Sequence, residues 1–173
     1  MRIVGIDPGL VTTGYGVIEV TQRDPRVVEA GVIRGGSADA RLETRLMSLY
    51  QGMVEVLQQF HPEAMALEEL YSHHKYPETA ILMGHARGVI CLAAATSGVP
   101  VFDYPSTQIK LTATGSGRAS KEQVQRAVQA RFHLKEVPQP HDVADALAIA
   151  LCHHSIAGSP IWSATGGTGG GVR

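Results

Sequence analysis

Three short apolar runs open the chain, "RIVGID", "TGYGVIEV" and "RVVEAGVIRGG", and very little separates them. That spacing constrains the fold more than any other feature. Antiparallel neighbours can be joined by a few residues, whereas parallel neighbours need a crossover of roughly a dozen or more. The three runs therefore predict an antiparallel meander. The next stretch, "RLETRLMSLYQGMVEVLQQF", changes period: Leu42, Leu46, Leu49, Met53, Val56, Leu57 and Phe60 recur at steps of three and four. That is one face of a helix, and His61-Pro62 ends it. "EAMALEEL" returns to strand character, with Ala64, Ala66 and Glu68 on one face and Met65, Leu67 and Glu69 on the other.

Helices and strands then alternate. "ETAILMGHARGVICLAAATSG" reads as a long helix closed by Gly98. "VPVFDY" is a fifth strand, "STQIKLTATG" a short helix and "GSGRA" a basic, Gly-rich loop. "SKEQVQRAVQARF" begins a helix with Ser120 and Gln123 at capping-box spacing. After the linker "EVPQP", Pro140 introduces the last helix, "HDVADALAIALCHHSIAG". This order predicts an α/β fold, a mixed five-stranded sheet with helices on its faces. Residues 1–157 are expected to form a single domain, and the Gly-rich tail 158–173 to lack fixed structure.

At 173 residues and 44% hydrophobic content the chain can build one substantial core. No continuous apolar run reaches the roughly 18 residues of a membrane helix. The opening "MRIVGIDPG" has no signal-peptide pattern, so a cytoplasmic location is expected. Cys91 and Cys152 both fall in apolar helical stretches and read as buried free thiols. Eight histidines are scattered without the spacing of a zinc site. The net charge of −1 argues against indiscriminate nucleic-acid binding, but the charge is uneven. Residues 71–135 hold eight basic and three acidic side chains; the remainder holds seven basic and thirteen acidic. A phosphate-tracking surface and ordinary solvated helix faces both fit that count.

Four acids are oddly placed for a chain that needs only solubility. Asp7 ends the first strand and Glu68 the fourth; Asp142 and Asp145 lie three apart at the start of the last helix, on one face. Converging carboxylates repel unless a cation sits between them or one takes a proton. Hard oxygen donors select Mg²⁺ or Mn²⁺, and a pair of such ions suits in-line displacement at phosphorus. Plainer roles exist for three of them: a turn acid for Asp7, an N-cap for Asp142 and a helix-dipole partner for Asp145. Glu68, at a buried strand end, has no obvious local backbone partner.

In order along the chain, "GIDPG" with "TGYGV", "ALEELY", "GSGRASKEQV" and "ADALAIA" resemble the RuvC family of bacterial Holliday junction resolvases, within the ribonuclease H-like superfamily. The motifs run from residue 1 to about 155. The resemblance implies a ribonuclease H-like nuclease domain with helices on both faces of the sheet. It implies a homodimeric endonuclease that nicks two opposed strands of a four-way DNA junction, using two Mg²⁺ or Mn²⁺ ions per site, in recombination and repair. It also implies partnership with the RuvA–RuvB branch-migration complex. Asp7 matches the first catalytic and metal-binding acid, Glu68 the second, and Asp142 and Asp145 the closing pair. The family also uses His at the first position of that pair, and His141 here lies one step off it.

Lys121 matches a family lysine near the scissile phosphate, and Lys110 a second basic residue on the DNA backbone. Tyr71 matches an aromatic that engages unstacked bases. Arg118 and Arg87 suit phosphate contacts without a family counterpart, and His73, His74 and Lys75 extend the Tyr71 loop. Against these stand solvated helix charges for the basic residues and a core or interface role for Tyr71. The Ala- and Gly-rich helix at 78–97 is implied to help form the dimer, with packing on its own sheet as the alternative. Rival readings are a shorter "DPG" resolvase family, an actin-like ATPase and a junction-binding module without cleavage. The first should lack "ASKEQV" and "ADALAIA", the second needs another domain of similar fold, and four intact acids oppose the third.

Overall fold

The computed structural model describes residues 1–21, 24–37, 39–70 and 77–157. Tyr71, His73, His74, Lys75 and the tail 158–173 lie outside them. The first three apolar runs are β1 (Arg2–Asp7), β2 (Thr12–Glu19) and β3 (Arg26–Arg34), paired antiparallel as their short connections require. β4 (Ala64–Glu68) and β5 (Val101–Tyr104) extend the sheet on the other side of β1, in the order β3-β2-β1-β4-β5. β4 runs parallel to β1, and β5 parallel to β4. Each parallel step is bridged by a helix, α1 (Leu42–Phe60) or α2 (Pro77–Thr96). α3 (Ser106–Thr114), α4 (Lys121–Arg131) and α5 (His141–Ala157) follow.

Strand alternation sends side chains to both faces, and each face has its own core. Val4, Ile6, Met65 and Leu67 pack with Leu49, Met53 and Leu57 of α1 and Ile90 of α2. Ile3 and Ala66 pack on the other side with Ile109, Val124, Val128, Leu147 and Ile149 of α3, α4 and α5. The mixed sheet covered on both faces is thus as the sequence predicts. The local signals hold as well. Gly98 and Gly115 close α2 and α3 with positive φ. At α4, the backbone N–H of Gln123 donates to Ser120 Oγ while that of Ser120 donates to Gln123 Oε1.

α5 is the centre of its layer. From Val143 to His153 only Asp145 escapes burial, because the helix is pressed between the sheet and α3 and α4. Glycines on the sheet make room for it. A Cβ at Gly5 would come 2.1 Å from the Ala146 carbonyl oxygen, and one at Gly14 the same distance from that of Asp142. The glycines of "TGYG" therefore form a trough that lets α5 approach the sheet closely.

α2 occupies the stretch read as a long helix, but the fold covers little of it. Its segment Glu78–Thr96 has a mean hydropathy of 1.4, long and apolar enough by length and composition to cross a membrane, yet only 22% of it is buried. Ala86, Ile90, Ala93 and Ala94 are sealed into the core, which fixes the helix as part of this fold. Its other side leaves Ile81 and Leu92 60% and 55% exposed.

Candidate active site

Parallel pairing of β1 with β4 brings the two strand-end acids together. Ile6 is in register with Leu67, so Asp7 and Glu68 follow side by side at the carboxyl ends of adjacent strands. Ligands of open α/β sheets gather at such ends. α5 starts over the same place, because Gly14, the cross-strand partner of Asp7, seats the backbone of Asp142. Behind Asp7, Thr13 is fully buried and holds the Pro8-Gly9 turn: its hydroxyl donates to the Gly9 carbonyl at 2.6 Å and accepts from the Gly9 N–H at 3.2 Å.

A cavity of about 200 Å³ opens there, lined by Asp7, Glu68, Asp145, Lys110, Lys121 and Ser106, with apolar walls from Ile109, Val124 and Ile149. Lys121 Nζ is 3.7 Å from Asp145 Oδ2, a loose pairing that leaves the ammonium free to turn towards a ligand. Asp142 does not line the cavity, but its charge acts on both Asp7 and Asp145. His141 is exposed and acts electrostatically on Asp145.

The electrostatics record the crowding of acids. Burial, followed by the charges of Asp145, Glu68 and Asp142, pushes the Asp7 carboxyl up to about 8, and Lys121 opposes this. Burial also raises Glu68, against a hydrogen bond donated by Ser106 and the nearby Lys110 and Lys121. Asp145 is raised in the same way, with Lys121 opposing. Such a set takes up protons or a cation. Its donors are all carboxylate oxygens, the chemistry of Mg²⁺ and Mn²⁺ rather than of zinc. The residues present fit a divalent cation. Among the described residues, however, no three acidic, histidine or cysteine side chains already stand in a ligating arrangement. The expected closed set of four is therefore met only as far as three acids sharing one cavity and a fourth acting from its edge.

The family model described as crossover junction endodeoxyribonuclease RuvC matches residues 3–153. The chain belongs to the RuvC family. The RuvC of Rhodopirellula baltica is 53% identical over 161 residues, covering 92% of this chain and 89% of that protein. The RuvC of Desulforamulus reducens is 43% identical, with 96% and 98% covered. Among solved structures, Thermus thermophilus RuvC in complex with Holliday junction substrate aligns with a TM-score of 0.84 at 38% identity, covering 91% of this chain and 94% of that one. The ribonuclease H-like α/β fold inferred from the RuvC motifs is the fold observed.

Other expected site residues fall differently. Arg118 is exposed on the turn between α3 and α4, outside the cavity. Arg87 is not a free phosphate contact: its guanidinium donates to Asp103 Oδ1 at 2.6 Å and to the Glu68 carbonyl at 3.1 Å. Two contributors escaped the sequence reading, Thr13 and Ser106, whose only sequence signals were the paired threonines of "TTG" and a Ser at the start of a helix.

Proposed function

We propose that this chain resolves four-way DNA junctions by paired, symmetric hydrolytic nicks. The observation that carries the reading is the cavity at the carboxyl ends of β1 and β4, where Asp7, Glu68 and Asp145 meet Lys110 and Lys121. Asp7, Glu68, Asp142 and Asp145 are the residues that would hold two Mg²⁺ or Mn²⁺ ions. When bound, such ions supply an activated water and relieve charge on the departing oxygen.

The chain's own residues do the rest. Asp7 is held still by the buried strand beneath it and by the Thr13-braced turn above it. Ser106 orients the Glu68 carboxylate. Ile109, Val124 and Ile149 exclude water and so strengthen each charge interaction in the cavity. Lys121, at the first turn of α4, meets the phosphate whose negative charge grows as the bond breaks, and Lys110 steadies the DNA backbone beside it. Arg118 extends this basic rim along the DNA. Tyr71, three residues beyond Glu68, stacks on bases unpaired at the crossover.

Two cuts need two sites. A second copy packs against α2, whose outer face shows exposed Ile81 and Leu92 around Gly84 and Gly88, where an added Cβ would meet nothing within 4 Å. A two-fold dimer then presents two cavities to a nearly two-fold junction. Residues 1–157 form the nuclease unit, followed by the Gly-rich tail 158–173. The RuvA–RuvB motor and a cytoplasmic setting complete the reading, supported by membership of the family.

The test uses a synthetic four-way junction and a linear duplex of the same sequence. Junction binding without metal, cutting only after Mg²⁺ or Mn²⁺ is added, and an uncut linear duplex are expected. Junction binding with no cutting under any divalent ion would make the chain a binding module instead.

A further inference from the structure

Arg87 joins three elements around the second catalytic acid. It projects from α2; its Nη2 donates to Asp103 Oδ1 on β5 at 2.6 Å and its Nη1 to the backbone carbonyl of Glu68 at the end of β4 at 3.1 Å. Its side chain is 19% exposed and that of Asp103 27%, which makes this the most shielded ion pair among the described residues. Asp103 is in register with Leu67, and the Glu69 N–H donates to the Tyr104 carbonyl at 2.9 Å. The fork of the guanidinium therefore spans two neighbouring strands at the point where the chain leaves the sheet. A planar, two-point donor fixes geometry in a way that an ammonium cannot.

We propose that Arg87 is a positioning residue for the junction-cutting reaction: by holding the Glu68 carbonyl against Asp103 it fixes the backbone from which the Glu68 carboxylate enters the cavity. This rests on the function proposed above. The role is separate from DNA binding, since Nη1 and Nη2 each donate to a protein acceptor and Arg87 does not line the cavity.

Three readouts test it on the full chain: junction affinity without metal, single-turnover cutting, and the Mn²⁺ concentration at the midpoint of metal-induced thermal stabilisation. Supporting residues around metal ligands contribute about 10–100-fold to affinity or activity. Arg87→Gln is expected to cut about 10–100-fold more slowly, to need several-fold more Mn²⁺ for the thermal shift, and to bind junctions within about threefold of wild type. Arg87→Lys, which keeps the charge and loses the fork, should fall between, and Asp103→Asn should follow Arg87→Gln. The double variant Arg87→Gln/Asp103→Asn should be little worse than either single one.

Cutting by Arg87→Gln within about threefold of wild type, or equal losses of binding and cutting, would overturn the role. Should Arg87→Gln fail to fold, the same split between cutting and binding in Arg87→Lys decides. A wild-type protein that leaves junctions uncut overturns the proposed function, whereas an effect confined to the variants speaks to Arg87 alone.

Discussion

Asp7 is a carboxylate that this fold makes costly to ionise, and that cost is informative. With its folded value raised from 3.8 to about 8, the metal-free protein binds an extra proton between those limits. The associated stability is present below the lower value and lost as pH rises through the upper one. Asp7→Asn should therefore stabilise the metal-free protein at pH 8 by on the order of 1–2 kcal/mol in denaturant titrations, while slowing junction cutting by about three orders of magnitude. Junction binding should survive, because the basic residues remain. Gly14→Ala tests placement rather than charge. Its Cβ would lie 2.1 Å from the Asp142 carbonyl oxygen, so β2 and α5 must separate. A loss of about 1–3 kcal/mol in chemical denaturation and at least about tenfold slower cutting are expected. At this scale the sequence was legible where a residue type carries the chemistry, as at Asp7, Glu68, Asp145, Lys110 and Lys121. It was opaque where contact decides: Gly14 matters through Asp142 and Arg87 through Glu68, partners that only the tertiary fold brings close.

α5 ties the two ends of the sheet together as an element. Asp142 and Asp145 lie at its start, and His153 is buried near its end, where Tyr104 Oη lies 2.7 Å from its Nδ1 and its ring centroid 4.6 Å from that of Phe102. Burial, with the neighbouring His154, lowers the His153 value from 6.5 to about 4. The stability tied to a neutral His153 is complete above 6.5 and is lost as pH falls through 4. Set against the opposing gain from the raised acids of the site, melting temperatures measured from pH 7 to pH 4 should carry a destabilising contribution of about 2 kcal/mol owed to this group. His153→Gln should remove that contribution while leaving cutting at neutral pH within a few-fold. The elements themselves were easy to read, because each changes hydrophobic period and carries its own terminator. Strand order was not, since periodicity says nothing about which strands are neighbours; the adjacency of β1 and β4, which creates the site, emerges only from the crossover through α1. Which side of α2 stays uncovered was hidden for a related reason: a helix apolar all round does not announce it.

The whole molecule is proposed to act as a pair. Leu92→Glu places a charge on the exposed apolar face of α2, away from the cavity, and should yield monomers in sedimentation velocity. Each monomer keeps its acids and loses the coordination of two cuts, so single nicks should accumulate. The central claim is that one dimer cuts two opposed strands of one junction, and strand mapping tests it most directly. A four-way junction labelled in turn on each arm is incubated with the full chain and Mn²⁺, and the products are resolved on denaturing gels. Nicks at symmetry-related positions in two opposed strands, giving two linear duplexes with 5′-phosphates, are the predicted result. Nicks scattered over all four strands, or equal cutting of linear duplex, would contradict the account.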